Sequence, residues 1–231
     1  MRLQMLSSIP TQCVGNIKYA GMPLPVDEKV LQELTSAVRE RKVFLISSTH
    51  DDEETQLASE LPRLQAAVKD VLVIVVPRHP NRGEPITEMF KEKGFKVSQR
   101  AQGGIIEKEM EVYVADTIGE MGLWYKLSSV SFIGGSLIPH GGQNFIEPAR
   151  DHNAVIVGSF MHNFTEMTAR AKKAQALVQV KGAKEVIDAV IALMTDNARL
   201  KTAQDKAYAW TVQEAAVLDK LADVIKEELE R

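Results

Sequence analysis

The sequence lacks most of the features that would place the protein in a specialised class. A single cysteine, Cys13, among 231 residues excludes an internal disulfide and any zinc site built from several cysteines. Aromatic residues make up only 6%, and no apolar run approaches the roughly 20 residues of a membrane span. The 28 basic and 31 acidic residues leave a net charge of −3, without the basic surface expected of a nucleic-acid-binding protein. With no signal-peptide core at its start, the chain is expected to be a cytoplasmic globular protein.

Short apolar runs of strand length alternate with stretches of helical periodicity. These runs are Val43–Ile46, Val71–Val76, Val112–Val114, Val130–Ile133 and Ala154–Val157. Continuous apolar strands, rich in β-branched residues, are typical of a parallel sheet that is covered on both faces. The alternation therefore predicts an α/β fold with an open, parallel, Rossmann-like sheet.

The helical stretches complete the expected organisation. They are predicted at Asp27–Glu40, Asp52–Val68, Glu84–Lys93, Gly119–Leu127, Asn144–His152, Phe164–Lys173 and Lys184–Arg231. Pro62 is expected to break the second of these, and Asp196-Asn197 to divide the last. Cys13–Tyr19 is a possible strand. Three segments are expected: a linker and first-strand region at 1–25, a Rossmann-like domain at 26–195 and a C-terminal helical segment at 196–231.

Polar residues follow each predicted strand. Ser48 and Thr49 come after the first strand, Arg78 and His79 after the second, and Gly134-Gly135-Ser136 after the fourth. Because the carboxyl ends of parallel strands lie along one edge of a sheet, where ligands bind, these groups should converge there. Hydroxyls, an arginine and glycines suit an anion, especially a phosphate.

Each of these groups also has a structural interpretation. Ser48 and Thr49 could cap the following helix, and the glycine pairs could simply form turns. Glu147 could be an acid in a first helical turn or could bind a ribose diol. No Walker-type lysine motif, GxGxxG fingerprint or nucleophile elbow is present, and His50 with the acids beside it is a poor metal site.

Taken in order, the segments resemble a known family. They are Ser48-Thr49-His50 followed by acids, Val76–Pro80, Ala115–Leu123, Phe132–Leu137, Gly141–Ala149 and His162-Asn163-Phe164. Together they resemble the carboxyl-terminal half of 3-deoxy-D-manno-octulosonic acid (Kdo) transferases, which add Kdo from CMP-Kdo to a lipid A precursor. The resemblance covers nearly the whole chain, and Val14–Tyr19 is similar to the family's junction between halves.

The resemblance implies the C-terminal domain of a glycosyltransferase-B arrangement, with a long C-terminal helix. It implies that Arg78 and His79 face the phosphate and carboxylate of the donor, and that Asn144 and Glu147 contact its ribose. Other residues are expected to bind the donor because of their positions in the motifs and at the carboxyl edge of the sheet. They are Ser48, Thr49, Gly119, Glu120, Met121, Gly134, Gly135 and Ser136. Two residues depart from the family, which usually has His in place of Gln143 and Pro in place of Phe145.

The implied reaction is displacement of CMP by an acceptor hydroxyl with inversion, requiring no metal and no cofactor. The family's catalytic base, acceptor site and membrane-associating segment lie in an N-terminal half. This chain would therefore bind CMP-Kdo at the cytoplasmic face of the inner membrane but would not transfer Kdo without a companion half. The apolar face of its last helix, including Trp210, would pack on that half. The rival hypotheses are a nucleotide-binding module without transferase activity and a nucleotide-sugar epimerase.

Overall fold

Seven parallel strands form one sheet at the centre of the protein. A computed structural model describes residues 21–39, 41–216, 221–226 and 230. The sheet has the order β3-β4-β2-β1-β5-β6-β7, and every pairing in it is parallel. The strands are β1 (Val43–Thr49), β2 (Leu72–Pro77), β3 (Val97–Gln99), β4 (Val112–Val114), β5 (Val130–Ile133), β6 (Ala154–Val157) and β7 (Val178–Gln179). The predicted α/β fold with a parallel sheet is confirmed.

Helices follow or flank the strands, as the alternation predicts. Asp27 starts the first helix by accepting hydrogen bonds from the N–H groups of Lys29 and Val30, at 3.0 and 3.2 Å. The helices are α1 (Glu28–Val38), α2 (Glu53–Ala67), α3 (Gly83–Glu92), α4 (Met121–Leu127), α5 (Ile146–Arg150), α6 (Thr165–Lys173), α7 (Ala183–Met194) and α8 (Asn197–Ala215).

The core lies on both faces of the sheet, because side chains alternate along each strand. In β1, Phe44 and Ile46 join the cluster under α2, α3 and α7, whereas Val43 and Leu45 join the cluster under α1 and α4. All four side chains are buried. This two-sided burial explains why the strands read as continuous apolar runs instead of alternating ones.

The order of the strands fixes where a ligand can bind. From β1 the chain moves through β2 to the edge strand β3 and back to β4 between them, and it then crosses to β5, β6 and β7 on the other side of β1. The direction reverses between β1 and β5. In open α/β sheets the crevice outside the carboxyl ends of the strands at such a reversal is the ligand site.

Three features differ from the sequence expectations. Pro62 lies inside α2 without ending it, because Leu57, Leu61 and Leu64 bury one side of the helix in the core. Strands β3 and β7 have only three and two residues, too short and too polar for an apolar pattern to reveal them. The prediction that Trp210 packs on a companion half is wrong. This side chain is buried within the domain and stacks on Phe145, with 5.5 Å between the ring centroids.

The ends of the chain test other expectations. The predicted division of the last helix is confirmed, because α7 ends at Met194 and Asp196 caps α8 by accepting from the N–H of Arg199 at 3.0 Å. The possible strand at Cys13–Tyr19 lies outside the described residues, and the three-segment organisation remains a prediction. Within the part of the chain that the structure describes, none of the helices combines the length and apolar character of a bilayer-spanning segment.

Candidate functional site

The loops after β1 and β2 are joined at the carboxyl edge of the sheet. Ser48 has a left-handed backbone (φ 54°), and the register of β1 against β2 shifts between Ser47 and Thr49. The carbonyl of Thr49 then accepts the N–H of Arg78 at 2.9 Å, which holds the start of the second loop beside the first. Asp52, not Ser48 or Thr49, is the residue before α2, so neither hydroxyl caps that helix.

Three histidines from three loops meet at this edge. The rings of His50 and His140 lie 3.7 Å apart between centroids, and His79 approaches His50 edge-on at 6.1 Å. The side chain of Gln143 donates to Nε2 of His50 at 3.0 Å, so the proton of the neutral ring lies on Nδ1. Burial, reinforced by the neighbouring histidines and arginines, lowers the pKa of His50 to about 4. His50 is therefore neutral at physiological pH.

Gly135 lies directly beneath this group of rings. Its backbone is left-handed (φ 66°), and a Cβ there would lie 3.2 Å from His50 and 3.3 Å from His140. A side chain would therefore strain the backbone and push both imidazoles outward. The glycine is required by the packing of the two histidines.

The arginines near this edge differ in whether their charge is already paired. Arg82 binds the buried carboxylate of Glu54 at 2.7 Å and also contacts Asp51 at 3.0 Å. Arg100 makes a two-pronged pair with Glu120, at 2.7 and 3.1 Å. Arg78 is exposed, and its guanidinium has no hydrogen bond or ion pair within the described ranges. It is thus a cation available to a ligand beside His50.

The loop after β4 is internally connected. Asp116 is buried and accepts from Gln99 Nε2 at 2.6 Å and from the N–H of Ala101 at 2.9 Å. The pairing with Arg100 lowers the pKa of Glu120, which also accepts a hydrogen bond from Thr117. The carboxylate of Glu120 thus holds this loop, while Gly119 and half-buried Met121 flank it at the same edge.

Glu147 and Asn144 lie at the start of α5, on the β5 side of the reversal. The Asn144 side chain accepts the N–H of Ile146 at 3.0 Å and also hydrogen-bonds to Glu147. Burial raises the pKa of Glu147, and the hydrogen bond from Asn144 opposes that shift. Glu147 is half-buried and caps no backbone N–H of α5. Its carboxylate is therefore held at the edge without a role in capping α5.

The least expected feature is Glu53, the first residue of α2. Its side chain is fully buried, and its two oxygens accept from the N–H groups of His50, Gly135, Ser136 and Leu137 at 2.6–3.0 Å. Burial raises its pKa, against the effect of these four hydrogen bonds. The run of acids after His50 is visible in the sequence, but that run does not show which member points inward.

The structure brings most of the predicted site residues to one edge and leaves their ligand contacts as predictions. Ser136 is fully buried, and its hydroxyl joins the carbonyl of Ile133 to the N–H of Gly158. Thr49 is also buried, and its hydroxyl has no partner within the described residues.

A cavity of about 600 Å³ lies beside the loop after β6, and Phe160 and Lys172 are among the residues that line it. In the described part of the chain, no three His, Cys, Asp or Glu side chains are grouped closely enough to hold a metal ion.

Solved structures share this architecture. The C-terminal domain of a glycosyl transferase group 1 family protein from Francisella tularensis matches with a TM-score of 0.55 over 84% of this chain and 98% of that one. At 12% identity, this likeness shows the fold alone. The topology, and the cluster of polar residues at the strand reversal, define a Rossmann-like domain of the architecture found in the C-terminal domain of that glycosyl transferase.

More similar proteins identify the family. A 3-deoxy-D-manno-octulosonic acid transferase from Rickettsia bellii is 30% identical over 217 residues, 93% of this chain and 52% of that protein. The crystal structure of the C-terminal CMP-Kdo binding domain of WaaA from Acinetobacter baumannii is 31% identical, with a TM-score of 0.76 over 80% of this chain and 97% of that one. No protein-family model matches the chain. The chain belongs to the Kdo transferase family, and it spans about half the length of the curated relatives it matches.

Proposed function

We propose that this domain binds CMP-Kdo at the carboxyl edge of its sheet and serves as the donor half of a Kdo transferase. The observation that carries the proposal is Arg78, whose guanidinium has no partner among the described residues and lies beside His50 and its neighbouring histidines. A forked cation held at this position is suited to a phosphate or carboxylate of the donor. The similarity to a CMP-Kdo binding domain supports the choice of nucleotide sugar.

The second contact in the proposal is made by Glu147. A half-buried carboxylate at the strand reversal can accept hydrogen bonds from both hydroxyls of a ribose. It lies across the edge from Arg78, on the β5 side rather than the β2 side. The nucleoside is proposed to lie between these residues, with Gly119, Met121 and the turn after β5 as its walls.

Among the described residues of the edge, His50 is not suited to activating an acceptor. His50 is neutral, but the proton of its Nδ1 and the contact of its Nε2 with Gln143 leave no free basic nitrogen. A base must lie within hydrogen-bond reach of the hydroxyl that it deprotonates. We propose that the acceptor, a lipid A precursor, the base and the association with the cytoplasmic face of the inner membrane belong to an N-terminal half or companion chain. The domain alone should then bind donor without transferring Kdo.

Calorimetry with nucleotides tests this proposal. CMP is expected to bind the chain at least tenfold more tightly than UMP, because only a cytidine-specific domain should discriminate these bases. Purified chain incubated with CMP-Kdo and lipid A precursor should give no product until an N-terminal half is added. Equal affinity for the two nucleotides would favour a general nucleotide-binding module. Transfer by the chain alone would show that the base lies within it.

A further inference from the structure

The turn after β5 uses its backbone N–H groups in an unexpected way. The consecutive N–H groups of Gly135, Ser136 and Leu137 converge on the carboxylate of Glu53, at 2.6, 3.0 and 2.9 Å. Consecutive N–H groups around oxygen anions are the arrangement by which glycine-rich turns bind phosphate. Here the anion is a side chain of the same protein.

We infer that Glu53 is a positioning residue whose carboxylate permanently fills this anion-binding turn and thereby sets the geometry of the nucleotide-binding face. The inference rests on the proposed function and adds the residue that holds its site together. Glu53 joins the two sides of the strand reversal, since it follows β1 and binds the turn after β5. The carboxylate and the turn that it binds are called the Glu53 clamp.

The burial of the Glu53 clamp makes it permanent. Glu53 and Ser136 have no exposed surface, so a ligand phosphate could enter only if the start of α2 moved away. Other N–H groups of the edge also have internal acceptors. Gly134 donates to Ser47 at 2.8 Å, and Gly142 donates to Gly135 at 2.7 Å. These N–H groups are therefore not available to the donor phosphate, which gives side chains such as Arg78 a larger share in its recognition.

The Glu53 clamp also fixes the histidines. The N–H of His50 donates to the carboxylate at 3.0 Å, and the ring of His50 then lies over Gly135, which the same carboxylate binds. His140 stacks on that ring, and Gln143 bonds to it. If the clamp opens, the loop carrying His140 and Gln143 loses its fixed distance from His50.

The variant Glu53→Gln tests the clamp with little change in size. Glutamine offers one acceptor oxygen instead of two, and its NH₂ group faces N–H groups that need an acceptor. Nuclear magnetic resonance should show at least two of the amide protons of His50, Gly135, Ser136 and Leu137 moving upfield. Calorimetry should show CMP affinity falling at least tenfold. Glu53→Asp keeps the charge but withdraws it by one methylene, and it serves as the test if the glutamine variant does not fold.

Leu61→Ala is the matched control, since Leu61 is a fully buried residue of the same helix and lies in the core instead of at the edge. It should lower Tm through a core cavity while CMP affinity stays within twofold of the unmodified chain. Unmoved amide resonances in the Glu53 variants would overturn the clamp. Moved resonances with unchanged CMP affinity would overturn its positioning role. Failure of the unmodified chain to bind CMP would instead refute the proposed function, and the resonances would still decide the clamp.

Discussion

Replacement of Arg78 by alanine is the most direct test of how the domain recognises its ligand. The side chain is exposed and has no partner within the described residues, so its removal should leave the fold and Tm unchanged. Its backbone N–H bond to Thr49 is retained in the variant. Any loss of affinity therefore reports a lost ligand contact rather than a collapsed loop.

The expected loss can be set from the exposure of Arg78. A hydrogen bond to a charged group contributes about 1.5–3 kcal/mol, and solvent screening at an exposed position favours the lower value. About 1.5 kcal/mol corresponds to roughly a tenfold rise in the Kd for CMP. Arg78→Lys keeps the charge without the planar fork, and its affinity should lie between those of the two other forms.

Calorimetry at two salt concentrations separates this contact from a general effect of charge. Raising KCl from 0.05 to 0.5 M should weaken CMP binding more in the unmodified chain than in Arg78→Ala, because salt screens the lost interaction. Arg199→Ala is the matched control. Arg199 is exposed in the first turn of α8, near the amino ends of the strands, where Lys42 contacts Met194. If Arg78→Ala binds CMP as tightly as the control Arg199→Ala does, Arg78 has no role in binding.

Two further predictions concern Glu147 and Pro62. Glu147→Gln should raise the Kd for CMP roughly tenfold but change that for 2′-deoxy-CMP much less, since only ribose offers both hydroxyls; equal losses in calorimetry would contradict the contact with the diol. Pro62→Ala should stabilise the chain by about 2 kcal/mol, the helix penalty of proline less its effect on the unfolded chain, and should raise Tm by about 4–8 °C. A lower Tm in thermal unfolding would mean that α2 requires the proline ring.

The parallel sheet could be predicted from the sequence because its central strands carry their own signal. Val71–Val76 is apolar throughout, and the structure buries that segment on both faces. The edge strands β3 and β7 carry no such signal, since backbone pairing with a neighbour defines them and their side chains are partly exposed. The prediction that Pro62 breaks the helix was wrong, because the tertiary packing of Leu57, Leu61 and Leu64 outweighs the low helix propensity of proline.

The convergence of the candidate site residues at one edge was also predictable, but the connections among them were not. The rule that polar loops converge at the carboxyl ends of parallel strands placed Arg78, His79 and the glycine turns at one edge. The sequence does not show that Arg82 and Arg100 have acidic partners while Arg78 has none among the described residues, because the partners of Arg82 and Arg100 lie 20 or more residues away. The role of Glu53 depends equally on a turn more than 80 residues later.

These connections together limit the kind of anion that the edge can bind. The Glu53 clamp occupies N–H groups that would otherwise surround a phosphate, His50 is neutral, and carboxylates compensate the charges of Arg82 and Arg100. Arg78, whose guanidinium has no partner among the described residues, provides one forked charge beside His50. A nucleoside monophosphate ester of a sugar acid presents one phosphodiester charge and one carboxylate, whereas a nucleoside diphosphate sugar presents two adjacent phosphate charges. A single guanidinium beside the neutral His50 can neutralise one of the two charges in either case, so in the proposed function Arg78 binds either the phosphodiester or the carboxylate of CMP-Kdo.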